Sequence, residues 1–164
     1  MKRNGIALLA LIVAASIILD QLIKIWVEAS MPLYSKIDIL PFLALLHAQN
    51  TGIAFSFLSG MDGMWLGVIA IVIVIFISIL AVRTEPSQLY ARIGFALIIG
   101  GAVGNLIDRF VRGYVVDYVY FHTPVWSFAI FNLADAFITV GAGLVVLEEF
   151  LSWRRAKKAG QMSE

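Results

Sequence analysis

Long apolar runs, each broken near an end by a few carboxylates, amides or bases, set the pattern of this chain. Residues 63–82 carry no charge after Asp62 and are rich in Ile and Val. Three more runs lie at about 5–26, 89–107 and 129–151. Asp20 and Lys24 interrupt the first, Arg92 and Asn105 the next, and Asn132 and Asp135 the last, which also carries Glu148 and Glu149 near its end. A helix crossing a bilayer needs about 20 mostly apolar residues. The pattern therefore predicts an all-α membrane protein of four transmembrane helices, forming a single integral membrane domain over 1–164. Loops at 27–62 and 108–128 join the spans on one side.

Composition supports this solvent. Of 164 residues, 61% are hydrophobic and 14% charged, with mean hydropathy +0.92. Soluble domains carry about 25% charged residues. The start, Lys2-Arg3 before an apolar run with Ala14-Ala15-Ser16, has some features of a cleaved leader. The run continues past Asp20 to Trp26, which is longer than an ordinary signal core, so it reads as a retained first helix. Lys and Arg near span ends set orientation. With the N-terminus inside, the inner side holds Lys2, Arg3, Arg83, Arg92, Arg154, Arg155, Lys157 and Lys158, and the outer side holds Lys24, Lys36, Arg109 and Arg112. Eight against four places both termini in the cytoplasm. Trp26, Trp65, Trp126 and Trp153 fall near span boundaries, where indole is favoured.

Span parity then gathers the polar residues. The first and third spans run outward, so Asp20, Lys24, Asn105, Asp108 and Arg109 lie at outer ends. The fourth runs inward, so Asn132 and Asp135 lie at its outer start. Ionisable groups within spans are expensive and mark functional sites by default. Asp20 and Lys24 are four residues apart and pair on one helix face. Asn105 aligns with Asp108 and Arg109, and Asn132 with Asp135. The plainer alternative is hydrogen-bond glue between helices, which suits Asp20–Lys24 better than the richer clusters.

The outer loops carry strand patterns. Residues 37–40 and 43–46 read as short strands on either side of Pro41. Asn50-Thr51-Gly52 marks a turn before an apolar return to the membrane. Residues 113–121, rich in β-branched and aromatic side chains, read as another strand. Asp117 in its middle is either on a solvated face or held at the membrane surface. His47 and His122 read as interface residues rather than ligands.

The chemistry available is narrow. There is no cysteine and only two histidines, which disfavours thiol catalysis and a histidine-rich metal site. No metal or other cofactor is expected. The chain has no basic patch with interleaved aromatics, so nucleic acid is not an expected partner. Two carboxylates sharing a proton can activate water for attack on an amide, because like charges held together cannot both ionise. Asp117 and Asp135 are the best pair, with Asp108 the rival partner for Asp135. The serines lack a nucleophile elbow, and neither histidine falls in the polar cluster.

Five motifs in order then carry a family resemblance: Asp20-Gln21-Leu22-Ile23-Lys24, Asn50-Thr51-Gly52-Ile53-Ala54-Phe55-Ser56, residues 100–109 ending in Asn105-Leu106-Ile107-Asp108-Arg109, Val115-Val116-Asp117, and Phe131-Asn132-Leu133-Ala134-Asp135. The chain resembles the lipoprotein signal peptidases (signal peptidase II), bacterial inner-membrane aspartyl proteases. The resemblance implies Asp117 and Asp135 as the catalytic dyad. It implies that Asp20, Lys24, Asn50, Gly52, Asn105, Asp108, Arg109 and Asn132 shape the site or hold substrate. It also implies a small extracytoplasmic β-sheet cradle and a surface helix in the first outer loop. The implied substrates are prolipoproteins whose cysteine already carries diacylglycerol, cut just before that cysteine. Arg109 would order Asp108 or a substrate carbonyl. Membrane lipids are expected partners, and a monomer is the expected state. The rival reading is a small proton-coupled transporter, but such sites favour the bilayer midplane and inverted repeats, and no repeat is evident.

Overall fold

The computed structural model describes residues 3–52 and 63–161. In chain order it comprises α1 (Arg3–Ser30), β1 (Lys36–Leu40), β2 (Leu43–Asn50), α2 (Gly63–Arg83), α3 (Leu89–Val111), β3 (Val115–Phe121) and α4 (Leu133–Gln161). Two helices, Ile6–Ser30 and Leu89–Val111, are long and apolar enough to cross a membrane, and Gly67–Arg83 is a shorter apolar helix.

The helices are inside out relative to a soluble bundle. On α1 the buried stripe is Ser16, Asp20, Lys24 and Val27, continued by Met31 just past its end, a helical spacing whose inner face is mostly polar. Leu22, between Asp20 and Lys24 at 0% exposure, is itself 58% exposed. Most large apolar side chains of α2 are exposed as well. Such a surface suits an apolar medium.

Helix α3 is the central element and packs against α1, α2 and α4. Small residues set the close approach. A Cβ at Gly100 would stand 2.6 Å from Cβ of Ser16, and one at Gly104 2.6 Å from Oδ2 of Asp20. On the α4 side, Gly94 and Gly141 face each other, each with a hypothetical Cβ 2.5 Å from the other's carbonyl oxygen. Close backbone contact of this kind replaces the hydrophobic drive that lipid removes.

The three strands form an antiparallel sheet in the order β1-β2-β3. Val116 and Tyr118 pack on Val27 and Met31, seating the sheet on the end of α1. This explains why α1 runs beyond the expected end at 26. Strand β2 is also longer than its apolar core, reaching Asn50. Helix α4 starts at 133 rather than 129, because Phe131 pairs with Val119 in extended form and Asn132 then caps the helix. The surface helix implied for the first outer loop does not occur in 31–52, which holds β1 and β2. Residues 53–62, including Phe55 and Ser56 of the second motif, lie outside the described residues.

Candidate functional site

The polar residues picked out by span parity meet between the ends of α1 and α3, the start of α4 and the sheet. They form two tiers. The deeper tier centres on Lys24, fully buried like Asp20 and Asp108. Its Nζ donates to Asp20 Oδ2, Asp108 Oδ2 and Asn105 Oδ1, all at 2.8 Å. An ammonium has three protons, and each has a partner. Asp20 Oδ1 accepts from the backbone N–H of Ala134 at 3.0 Å, tying α1 to the first turn of α4. Asp108 also accepts from Gln21 Nε2 and Arg112 at 2.8 Å, and from the N–H of Val116 at 3.2 Å. Arg112 reaches on to Glu28 at 2.8 Å, which also accepts from the Tyr114 hydroxyl.

The second tier holds Asp117 and Asp135. In β3, Asp117 stands opposite Ala48 of β2. Side chains two residues apart share a strand face, so Asn50 is its diagonal neighbour. Asn50 Nδ2 donates to Asp117 Oδ2 at 2.9 Å. The Asn50 side-chain oxygen accepts the N–H of Gly52 at 2.9 Å, which orients the amide. Gly52 has φ +100°, a backbone conformation that favours glycine. Asn132 Nδ2 donates to Asp117 Oδ1 at 2.6 Å, while its Oδ1 accepts the N–H of Asp135 at 3.0 Å as the cap of α4. Asp135 returns a bond by accepting the Asn132 N–H at 3.3 Å, and it accepts Asn105 Nδ2 at 2.8 Å. Among the described residues, no Lys or Arg forms an ion pair with either aspartate.

These surroundings set the acidity of Asp117. Burial pushes its carboxyl from 3.8 up to about 6; the Asn50 bond pulls the other way, and the nearby charge of Asp135 adds to the rise. The solvated alternative for Asp117 is thereby removed, since it is 3% exposed. Burial likewise raises the Tyr118 hydroxyl to about 12. That oxygen accepts the N–H of Leu133 at 3.1 Å, satisfying a second N–H of the first turn of α4.

Every expected site residue within the described chain falls in this region, but some pairings differ. Asp108 is held by Lys24, Arg112 and Gln21 and makes no hydrogen bond to Asp135. Arg112, not Arg109, orders Asp108. Arg109 is half-buried, donates to the Asn105 carbonyl at 3.3 Å and lies within electrostatic reach of Asp135 and Asp117. Gln21, Glu28, Arg112 and Tyr118 were not expected in the site. For Arg112 the signal was its position four residues after Asp108. His47 is buried rather than interfacial, its Nδ1 against the Met31 carbonyl at 2.8 Å. His122 stacks on Tyr120.

Comparison with known proteins settles the family. Residues 12–151 match the family model of signal peptidase (SPase) II. The chain belongs to the signal peptidase II family. It is a family of aspartic peptidases. The chain is similar to the lipoprotein signal peptidase of Mesorhizobium japonicum, 60% identical over 146 residues, covering 89% of this chain and 87% of that one. The lipoprotein signal peptidase of Brucella ovis is 52% identical over 157 residues, covering 96% and 98%. Among solved structures, a bacterial membrane enzyme determined by the in meso method at 1.9 Å superposes with TM-score 0.77 at 30% identity, over 87% of this chain and 92% of that one. Membership in this peptidase family displaces the transporter alternative.

Proposed function

We propose that this signal peptidase II removes the signal peptide from diacylglyceryl-modified prolipoproteins, cutting before the lipid-bearing cysteine with water activated by Asp117 and Asp135. The observation that carries the assignment is the contrast in partners. These two aspartates are bonded to amides and backbone N–H groups, whereas Asp20 and Asp108 are bound to Lys24. The first pair is thus left without a bonded cation, and burial raises the carboxyl of Asp117 to about 6.

In this reading, Asp117 carries the shared proton, in keeping with its raised pKa. Asp135 takes a proton from water as the oxygen attacks the scissile carbonyl carbon, and Asp117 donates to the carbonyl oxygen. The tetrahedral intermediate then collapses: the C–N bond breaks as Asp135 gives its proton to the departing amine, and one hydroxyl of the former gem-diol returns a proton to Asp117 as the new carboxyl forms. Asn132 couples the two carboxylates, and Asn105 holds Asp135 from the α3 side. Arg109 is suited to meet a substrate carbonyl.

The four helices cross the inner membrane, with both termini cytoplasmic and the carboxylate end outside, and the enzyme acts as a monomer. The exposed apolar faces of α1 and α2 and the Lys and Arg distribution support this topology. Substrate acyl chains stay in the bilayer, so the scissile bond is presented at the membrane boundary, where proximity does much of the work.

The test is cleavage of a lipid-modified precursor by Asp117→Asn and Asp135→Asn. Each variant should insert and fold yet lose cleavage. Near-normal cleavage by either removes it from the dyad. Unlipidated precursor should be a poor substrate, and efficient cleavage of it would overturn the lipid requirement.

A further inference from the structure

The end of the bundle opposite the carboxylates contains a second polar construction that the peptidase reaction does not use. Glu148 of α4 is 1% exposed. Its Oε2 accepts the N–H of Tyr90 in the first turn of α3 at 3.1 Å. This bond replaces the missing side-chain cap, since Gln88 at the N-cap position makes none. Arg155 closes on Glu148 Oε1. The start of α3 and the last turns of α4 are thereby clamped together.

Beside this clamp lies a cleft of about 620 Å³, walled by Ser87 and Tyr90 on one side and by Arg154, Lys157 and Lys158 on the other. The volume is in the range of small-molecule sites. Arg155 is committed to Glu148, but Arg154, Lys157 and Lys158 form no ion pair among the described residues. Two of them are directed by rings: Arg154 lies over Phe150 at 5.8 Å and Lys157 over Trp153 at 5.7 Å. The amino end of α3 adds the positive end of its dipole. Leu89, Tyr90, Phe150 and Trp153 are exposed around this charge, which gives the rim an apolar surface that a soluble anion would leave uncovered.

We propose that this cleft binds the phosphate headgroup of an anionic phospholipid, whose acyl chains lie along the exposed apolar residues of α3 and α4. Three unpaired cations meet the phosphate diester, the indole of Trp153 sits at headgroup level, and the apolar rim selects a lipid over a free phosphate. Basic pockets between spans on one side of a membrane bind acidic headgroups in this way. Because α3 and α4 carry Asn105 and Asp135 at their far ends, a lipid that pins their junction also steadies the pair that holds the site.

The experiment measures lipid retained by the full chain after exchange from mixed phosphatidylglycerol and phosphatidylcholine into detergent. The anionic lipid should be retained at least tenfold over the zwitterionic one. Arg154→Gln/Lys157→Gln/Lys158→Gln, which leaves the Arg155–Glu148 clamp intact, should abolish that preference. Lys158→Gln alone should reduce it, which keeps the test open if the triple variant does not fold. Arg83→Gln, a cation outside the cleft, should leave it unchanged. Equal retention of both lipids, full preference in the triple variant, or equal loss with Arg83→Gln would each overturn the proposal. Displacement of the lipid by inorganic phosphate at the same concentration would assign the cleft to a soluble anion instead.

Discussion

Asp108 and Asp117 are both buried aspartates at the same end of the bundle, and their surroundings differ in one respect. Asp108 meets Lys24 and Arg112, so its negative charge is answered by positive charge inside the protein. Asp117 meets Asn50 and Asn132, which donate hydrogen bonds but no charge. A buried carboxylate bonded to cations is held as part of an ionic cluster. A buried carboxylate with only amides is poised to take up a proton, as the rise of Asp117 to about 6 records. Amides thus hold geometry without fixing protonation, which is what an acid–base pair requires.

The largest effect that could break this comparison is in activity. Asp117→Asn should lower kcat/KM by at least about a thousandfold, roughly 4 kcal/mol of barrier, with a small change in thermal midpoint. The new amide must set its NH2 against a donor, because Asn50 and Asn132 are both oriented by other bonds. That mismatch costs about 1 kcal/mol. Asp108→Asn should do the reverse in stability, lowering the midpoint strongly. If Asp117→Asn unfolds the protein while Asp108→Asn does not, the two roles have been exchanged.

Next in size is the ammonium itself. Lys24→Met fits an apolar chain of similar length but leaves Asp20 and Asp108 buried without it. Breaking a buried ionic cluster by removing one partner costs about 3–5 kcal/mol. Asp20 suffers more, since Arg112 still holds Asp108. The thermal midpoint in detergent checks this, and an unchanged midpoint would show that the cluster is not a structural unit.

Much of this arrangement was legible in the chain because span parity is a strong constraint. Four apolar runs and a count of Lys and Arg put Asp20, Lys24, Asn105, Asp108, Asn132 and Asp135 at one end, and the helical spacing of Asp20 and Lys24 predicted their ion pair. The strand around Asp117 was readable from its β-branched residues, but its burial was not, because that depends on the sheet seating against α1. The exchange of Arg109 for Arg112 as the partner of Asp108 had the same cause. Both lie near Asp108 in sequence, and the rotation of α3 against α1 decides between them. Gly100 and Gly104, four apart, carried an unread signal for that docking face. The start of α4 was misplaced because residues 129–131 are apolar, and apolarity alone does not separate a strand pairing from a first helical turn.

Asn132→Ala should act on both properties at moderate size. It removes the cap of α4, worth about 1 kcal/mol, and the bond that joins Asp117 to the first turn of that helix. Cleavage should fall further than the stability loss alone explains. Asn132→Asp, which keeps the cap but sets an oxygen against the Asp117 oxygen that now accepts an N–H, should restore neither full stability nor cleavage. Recovery of both would show that Asn132 acts only as a cap.

The smallest effect is the sharpest, because it tests amide control of the proton directly. The folded pKa of Asp117 lies above its ordinary 3.8, at about 6. Between those values the folded state binds more protons than the unfolded one, so the contribution to stability is full below 3.8 and is lost as pH rises through about 6. A reaction that needs the shared proton should follow the same titration, with kcat/KM falling on the alkaline side of about 6. Asn50→Ala removes a bond to the charged form, so the carboxyl should hold its proton more tightly. The alkaline limb should then move to higher pH, by up to about one unit, even as the maximal rate drops. A uniform loss of rate with the limb unmoved would make Asn50 only a fastener between β2 and β3. A limb moved to lower pH would contradict the assignment of the proton to Asp117, since no loss of a donor to a carboxylate makes it a stronger acid.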